Sequence, residues 1–263
     1  MEMRKLNKDE LDWAVLPCVY PDWRDKMREG MDARRKWLEE MMDKGLNILV
    51  ALETVSSSTI AVALVEYLPI ELAPEPVAGR DLLFINCIWV IEPFWRKGVA
   101  KQLMEALFED VKDSKGIAVL AYEGDQWFGY FDYMPVWFFE KFGFKEADRD
   151  SSRVLLWREF KRADPPSLLI PKPEPKDEHE KITVDILWDS QCPWSVWMRD
   201  IILLKARKIP KVKVRAINTD DRHFIERYGV SRGVFIDGEP ALKRMANWEE
   251  VDKLLKKKLK QME

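Results

Sequence analysis

The chain has 263 residues, 47% of them hydrophobic and 34% charged, with a net charge of −3 at neutral pH. That length accommodates two packed cores, and the near-balanced charge leaves no footprint for nucleic acid. Its apolar runs fall short of the roughly 18 residues of a membrane-spanning helix, "MEMRKLNKDELDW" lacks a signal-peptide core, and three cysteines without metal-ligand spacing fit a cytoplasmic chain without a metal site.

In chain order, "RDKMREGMDARRKWLEEMMDKG" predicts a helix with Met27, Met31, Leu38, Met41 and Met42 near one stripe and Gly45 at its end. "NILVALETV" and "TIAVALVEYL" read as strands of a hairpin turned at the serines between them. "DLLFINCIWVI" is apolar on both faces and therefore a central strand. The next helix aligns Leu103, Leu107 and Val111; the strand "GIAVLAYE" follows. Pro135 opens a short helix that Gly143 closes, and "RVLLWREF" is a last strand. Residues 161–181, "KRADPPSLLIPKPEPKDEHEK", hold five prolines and read as a semi-rigid spacer. The predicted division is a domain over 1–160, a linker over 161–181 and a domain over 182–263.

"EPFWRKGVAKQLM" lies where the central strand hands over to a helix. A helix N-terminus offers unpaired N–H groups and about half a positive charge, and small residues there let an anion approach the backbone. Gly98 and Ala100 supply the small residues; Arg96, Lys97 and Lys101 add positive charge. Neither GxxxxGK[ST] nor GxGxxG is present. Taken alone, the turn fits an anion site and an ordinary helix start equally.

"WRKGVA" resembles the [QR]xxGx[GA] acetyl-CoA loop of the GNAT N-acetyltransferases, with Trp95 where the family most often has Gln or Arg. "FFEKFGFKEAD" resembles the same family's xYexxGF element, and the order of elements agrees over roughly residues 1–160. The resemblance implies the α/β (α+β) acyl-CoA N-acyltransferase fold and acetyl-CoA as cosubstrate. It implies that the backbone of Trp89, Val90 and Ile91 pairs with the pantetheine arm. The amides of Arg96, Lys97, Gly98, Val99 and Ala100 would hold the pyrophosphate, with Arg96, Lys97 or Lys101 at the adenosine phosphate.

Transfer to an amine needs a neutral nucleophile, a polarised carbonyl and a proton source for the thiolate. The family's usual tyrosine is replaced by Phe139, and the central strand carries no carboxylate. Glu123 and Tyr133 are the candidate catalytic residues, with Tyr122 and Tyr130 as further phenols. The aromatic stretch Trp127, Phe128, Tyr130, Phe131, Tyr133 and Trp137 would line an acceptor pocket, with Asp125 and Asp132 holding a small-molecule amine.

Residues 182–263 open with the strand "ITVDILW" and continue through "DSQCPWSVWMRDIILLKAR", the strand "KVKVRAI", "TDDRHFIERYGV" and "GVFIDGEPAL" to a terminal helix, and resemble a smaller thioredoxin-like domain with Cys192-Pro193-Trp194-Ser195 at the CxxC position. Cys192 is then a candidate reactive thiol at a helix N-terminus, but Ser195 removes the resolving cysteine. "SRG" also stands where a thioredoxin has its proline, so the domain looks closer to the YoaP-type module that follows some GNAT domains. His179 and His223 are isolated and make no metal site.

The leading reading is direct acetyl transfer from acetyl-CoA to an amine, with no nucleic-acid or membrane partner; the oligomeric state stays open. The alternatives are a noncatalytic CoA- or partner-binding module, and a monothiol redox factor using Cys192.

Overall fold

The computed structural model describes residues 1–124, 126–127, 131–173 and 181–261, with backbone alone at 126–127 and 131–132. In chain order the elements begin with β1 (Glu2–Lys5), α1 (Asp12–Val15), α2 (Arg28–Met42), β2 (Asn47–Val55), β3 (Ser58–Pro69) and β4 (Val77–Ala78). They continue with β5 (Leu83–Val90), α3 (Val99–Val111), β6 (Gly116–Tyr122), β7 (Gln126–Trp127), β8 (Phe131–Asp132), α4 (Val136–Glu140), β9 (Lys145–Asp150), β10 (Arg153–Glu159) and β11 (Ser167–Leu168). The last are β12 (Ile182–Trp188), α5 (Pro193–Ala206), β13 (Val212–Asn218), α6 (Arg222–Tyr228), β14 (Gly233–Ile236), β15 (Glu239–Leu242) and α7 (Trp248–Lys260).

The chain divides into two mixed α/β units. The first holds Met1–Ala73, Val77–Glu123 and Met134–Leu168; the second holds Pro74–Pro76, Gly124–Tyr133 and Leu169–Glu263. Part of the proline-rich stretch is therefore built into the fold: Ser167 and Leu168 pair antiparallel with Ala78 and Val77.

The first unit is organised on a seven-stranded sheet of order β1-β2-β3-β5-β6-β10-β9. The apolar strand expected at the centre, β5, is the fourth of the seven. The β2–β3 hairpin turns through Ser56 and Ser57, both at positive φ (48° and 72°), the conformation that matches strand twist in two-residue turns. β6 is buried at every position. α3 turns Val99, Leu103, Met104, Leu107 and Val111 into the core. The two strands the periodicity passes over, β1 and β9, are the edges of this sheet, where charged residues meet water and blunt further pairing. On α2 the buried stripe is Gly30, Arg34, Trp37, Leu38 and Met41; Met31 and Met42 are only half-buried.

The second unit has a four-stranded sheet of order β13-β12-β14-β15. β12 runs parallel to β13 and antiparallel to β14, and β15 is antiparallel to β14. Leu187, Tyr228, Val230 and Phe235 form one cluster of its core.

Candidate functional site

The first unit's candidate site begins where its central strands part. β5 and β6 pair in parallel from Leu83/Ile117 to Ile85/Val119, and that ladder ends there. On its other side β5 stays paired with β3 as far as Val90, after a register shift between Glu66 and Tyr67. Asn86 is the extra residue: Ile85 faces Tyr67 while Cys87 faces Glu66. Beyond this bulge, Cys87 to Ile91 are all half-buried, whereas Phe84, Ile85 and Asn86 are buried.

Trp89, Val90 and Ile91 thus lie on the half-buried stretch, and the Ile91 N–H donates to the Val62 carbonyl (2.9 Å). Trp89 Nε1 donates to the Pro17 carbonyl (3.2 Å). Trp95 packs edge-on against Trp89 at 6.2 Å between centroids, and its Nε1 donates to the Val90 carbonyl (2.5 Å). The departure at Trp95 therefore has a local role: the indole braces the end of β5.

The turn that follows has two residues in the left-handed region, Arg96 (φ 58°) and Gly98 (φ 79°). Gly98 is the N-cap of α3 and makes no side-chain cap bond to the first-turn amides, and a Cβ built on it would meet nothing within 4 Å. Alternation through the left-handed region turns successive N–H groups into a concave, anion-binding surface, and the helix N-terminus adds partial positive charge. Val99 is buried, Ala100 half-buried, and Arg96, Lys97 and Lys101 are exposed. Lys97 Nζ sits 5.2 Å from the Phe94 ring centroid, and Lys101 Nζ lies 3.6 Å from Glu105.

Of the proton-handling candidates, Glu123 is exposed beyond the end of β6, its N–H donating to the Ser152 carbonyl (2.8 Å) and its carboxylate paired with Arg149. Tyr133 falls in the second unit and is one of the groups that raise the Arg232 pKa. Tyr122 is buried, and its N–H donates to the Met134 carbonyl (3.1 Å). Phe139 is wholly buried, 5.1 Å from Phe138 and 5.7 Å from Phe144 between ring centroids, so it serves packing. Trp137 is exposed, with Lys141 Nζ 4.3 Å from its ring centroid. Asp125, Phe128, Tyr130 and His179, and the side chains of Trp127, Phe131 and Asp132, lie outside the described residues.

Sequence reading missed a polar cluster on the α2 side of β5. Arg34 and Glu66 are buried and paired, and Arg34 Nη2 also donates to the Ala14 carbonyl (3.0 Å). Burial works against the guanidinium's charge, but Cys18, Glu66 and Cys87 outweigh it and hold the Arg34 pKa above its ordinary value. Cys18 Sγ donates to the same Ala14 carbonyl (3.4 Å). A signal was present: Arg34 follows Met27 by seven residues on the apolar stripe, and Glu66 interrupts an apolar strand.

In the second unit Cys192 caps α5, half-buried, with its N–H donating to Asp189 Oδ1 (3.1 Å). Asp189 pairs with buried Arg232, which also reaches Gln191 and Glu75 (2.9 Å to Glu75 Oε1). Ser231 Oγ donates to Glu75 Oε2 (2.6 Å). Ser195, at the resolving-cysteine position, is buried and accepts from the Asp189 N–H (3.0 Å). Burial raises the Asp189 carboxyl to about 6, with Asp220 and Glu75 adding and Arg232 opposing. His223 is exposed at the start of α6, and among the described residues no cluster of His, Cys, Asp or Glu has the makings of a metal site. No helix among the described residues is long and apolar enough to cross a membrane.

Residues 17–144 match the model of the acetyltransferase (GNAT) family. A Bacillus subtilis (strain 168) protein described as "Uncharacterized N-acetyltransferase YoaP" is 25% identical over 260 residues, spanning 95% of this chain and 97% of its own length. Among solved structures, the PaiA N-acetyltransferase of Thermoplasma acidophilum in complex with coenzyme A aligns with 60% of this chain and 98% of its own. The TM-score is 0.41 at 15% identity. An aminoglycoside 6'-acetyltransferase type Ii aligns with 62% of this chain and 100% of its own, with a TM-score of 0.42 at 14% identity.

Proposed function

We propose that residues 1–160 carry an N-acetyltransferase that moves the acetyl group of acetyl-CoA directly to an amine, of a small molecule. The observation that carries this reading is the turn at Arg96–Gly98, left-handed at both ends, opening α3 beside the strand that leaves β6 at its bulge. The pyrophosphate would rest on the amides of Arg96 to Ala100, with Arg96, Lys97 or Lys101 at the adenosine phosphate. The pantetheine arm would run along Trp89 to Ile91. A backbone N–H near Trp89 or Val90 would polarise the thioester carbonyl, so that the amine attacks, a tetrahedral oxyanion forms and the thiolate leaves. Glu123 is the group proposed to move the protons. The family-model match over 17–144 and the similarity to YoaP support the same chemistry.

We read the second unit as thioredoxin-like, on its strand order and on α5 following β12, with Cys192 as a thiol of raised reactivity. Its place as the N-cap of α5 supports that reading.

The test is calorimetry with CoA, followed by thiol release from acetyl-CoA across a panel of primary amines. Binding with turnover on one amine class is the expected result, and absence of CoA binding sinks the reading. Glu123→Gln should lower kcat and leave CoA affinity unchanged; unchanged kcat removes it from the reaction.

A further inference from the structure

The buried cluster at the β5 bulge holds an unmet hydrogen-bond acceptor. Asn86 is 2% exposed, and its Nδ2 donates to Glu66 Oε2 (3.2 Å). Glu66 is fully buried, and its two carboxylate oxygens accept from Arg34 and from Asn86. That fixes the amide orientation: the nitrogen must face Glu66, and Oδ1 must point elsewhere. Oδ1 is buried and has no hydrogen-bond partner among the described residues. Buried carbonyl oxygens in folded proteins are nearly always satisfied, and one left unmet calls for an explanation.

Its position supplies one. Asn86 is the last buried residue before the half-buried run Cys87 to Ile91, at the point where the β6 ladder has just ended. It therefore sits just past the end of the β6 ladder, beside the stretch of β5 on which the acyl-transfer reading puts the thioester, and the inference rests on that reading. We propose that Asn86 Oδ1 binds an N–H of a bound substrate, either the acceptor amine or an amide of the pantetheine arm.

The chemistry suits the amine. Arg34 and Glu66 offset one another, so the cluster presents an uncharged acceptor with no net charge behind it. A carboxylate at this point would favour the ammonium form, which has no lone pair to attack with. An amide oxygen engages one N–H and turns the lone pair outward without holding the extra proton.

The experiment uses the full chain with Asn86→Leu and Asn86→Ser. CoA affinity is read by calorimetry, and KM and kcat with spermidine, kanamycin and a peptide N-terminal amine as acceptors. An amine partner predicts a KM raised about tenfold with CoA affinity unchanged, and a pantetheine partner predicts the reverse. In the wild type, the Asn86 side-chain amide resonance should shift on adding the ligand concerned, a readout that needs no variant to fold. A purely structural Asn86 would instead give a Leu variant of higher Tm with both constants and the resonance unmoved, and that result overturns the proposal. If the wild type turns over no amine in the panel, unchanged CoA affinity and an unmoved resonance overturn it alone. A wild type that binds no CoA refutes the acyl-transfer reading itself, and this proposal with it.

Discussion

Gly98 is the position at which loop geometry and ligand binding can be separated most cleanly. Its φ of 79° is one that L side chains adopt at a cost of roughly 1–2 kcal/mol, partly offset by the lower chain entropy of a non-glycine residue when unfolded. A Cβ would meet nothing within 4 Å, so Gly98→Ala adds no clash to that strain. The net loss should be about 1 kcal/mol, a Tm shift of about 2–4 °C for a unit of this size. The same open space is where the pyrophosphate is proposed to lie, so the methyl group should weaken CoA about tenfold through contact and strain. Gly98→Asp adds a charge. Two unit charges about 5 Å apart repel by roughly 1–3 kcal/mol between bulk-water and near-surface dielectrics, and more against a doubly charged diphosphate. CoA affinity in that variant should fall by at least about 100-fold, and the deficit should shrink as salt rises. Calorimetry at two ionic strengths, with Tm measured on the same samples, checks both parts. Wild-type CoA affinity in a folded Gly98→Asp protein would refute the assignment of this turn to the pyrophosphate.

Three further outcomes follow from the buried charges. Arg34→Met leaves Glu66 buried without its partner and should cost about 3–5 kcal/mol in urea unfolding, while adding Glu66→Leu should recover most of it; a loss under about 1 kcal/mol would show the pair to be unimportant. Asp189 is a carboxyl whose folded pKa, about 6, lies above its ordinary 3.8, so the folded second unit retains a proton that the unfolded chain releases. Stability should therefore fall as pH rises from about 4 to 6 and level off above, and Asp189→Asn should flatten that slope; an unchanged slope would remove Asp189 as its source. Limiting iodoacetamide should label Cys192 before Cys18, whose thiol is engaged with the Ala14 carbonyl, and Cys192→Ser should leave CoA binding intact; mass spectrometry showing Cys18 first would contradict this.

The local elements were legible because their signals are local. Apolar runs gave the central strand and β6, the 3.6-residue spacing gave α3, and the serines after Val55 gave the tight turn between β2 and β3. The glycine turn was legible for the same reason, since a left-handed residue at a helix start favours glycine whatever surrounds it. The edge strands β1 and β9 escaped because charged edges carry no apolar alternation. Tyr133 groups with the second unit, and no spacing rule assigns a residue between β8 and α4 to one core or another.

What only the tertiary structure decided is the pairing of the buried charges and the bulge. Arg34 meets Glu66 across 32 residues, and Arg232 meets Glu75 across 157. Arg34 and Glu66 sit in apolar patterns that point to burial, but each of the four side chains leaves its partner unnamed in the sequence. Its burial is tolerable only beside its partner, because an ion taken out of water without one is too costly to keep. Composition and periodicity record which residues avoid water; they hold no record of which distant charge stands opposite. For Asn86 the same holds in reverse, since its place just past the end of the β6 ladder exists only once β3 pairs on one side of β5 and β6 has parted from the other.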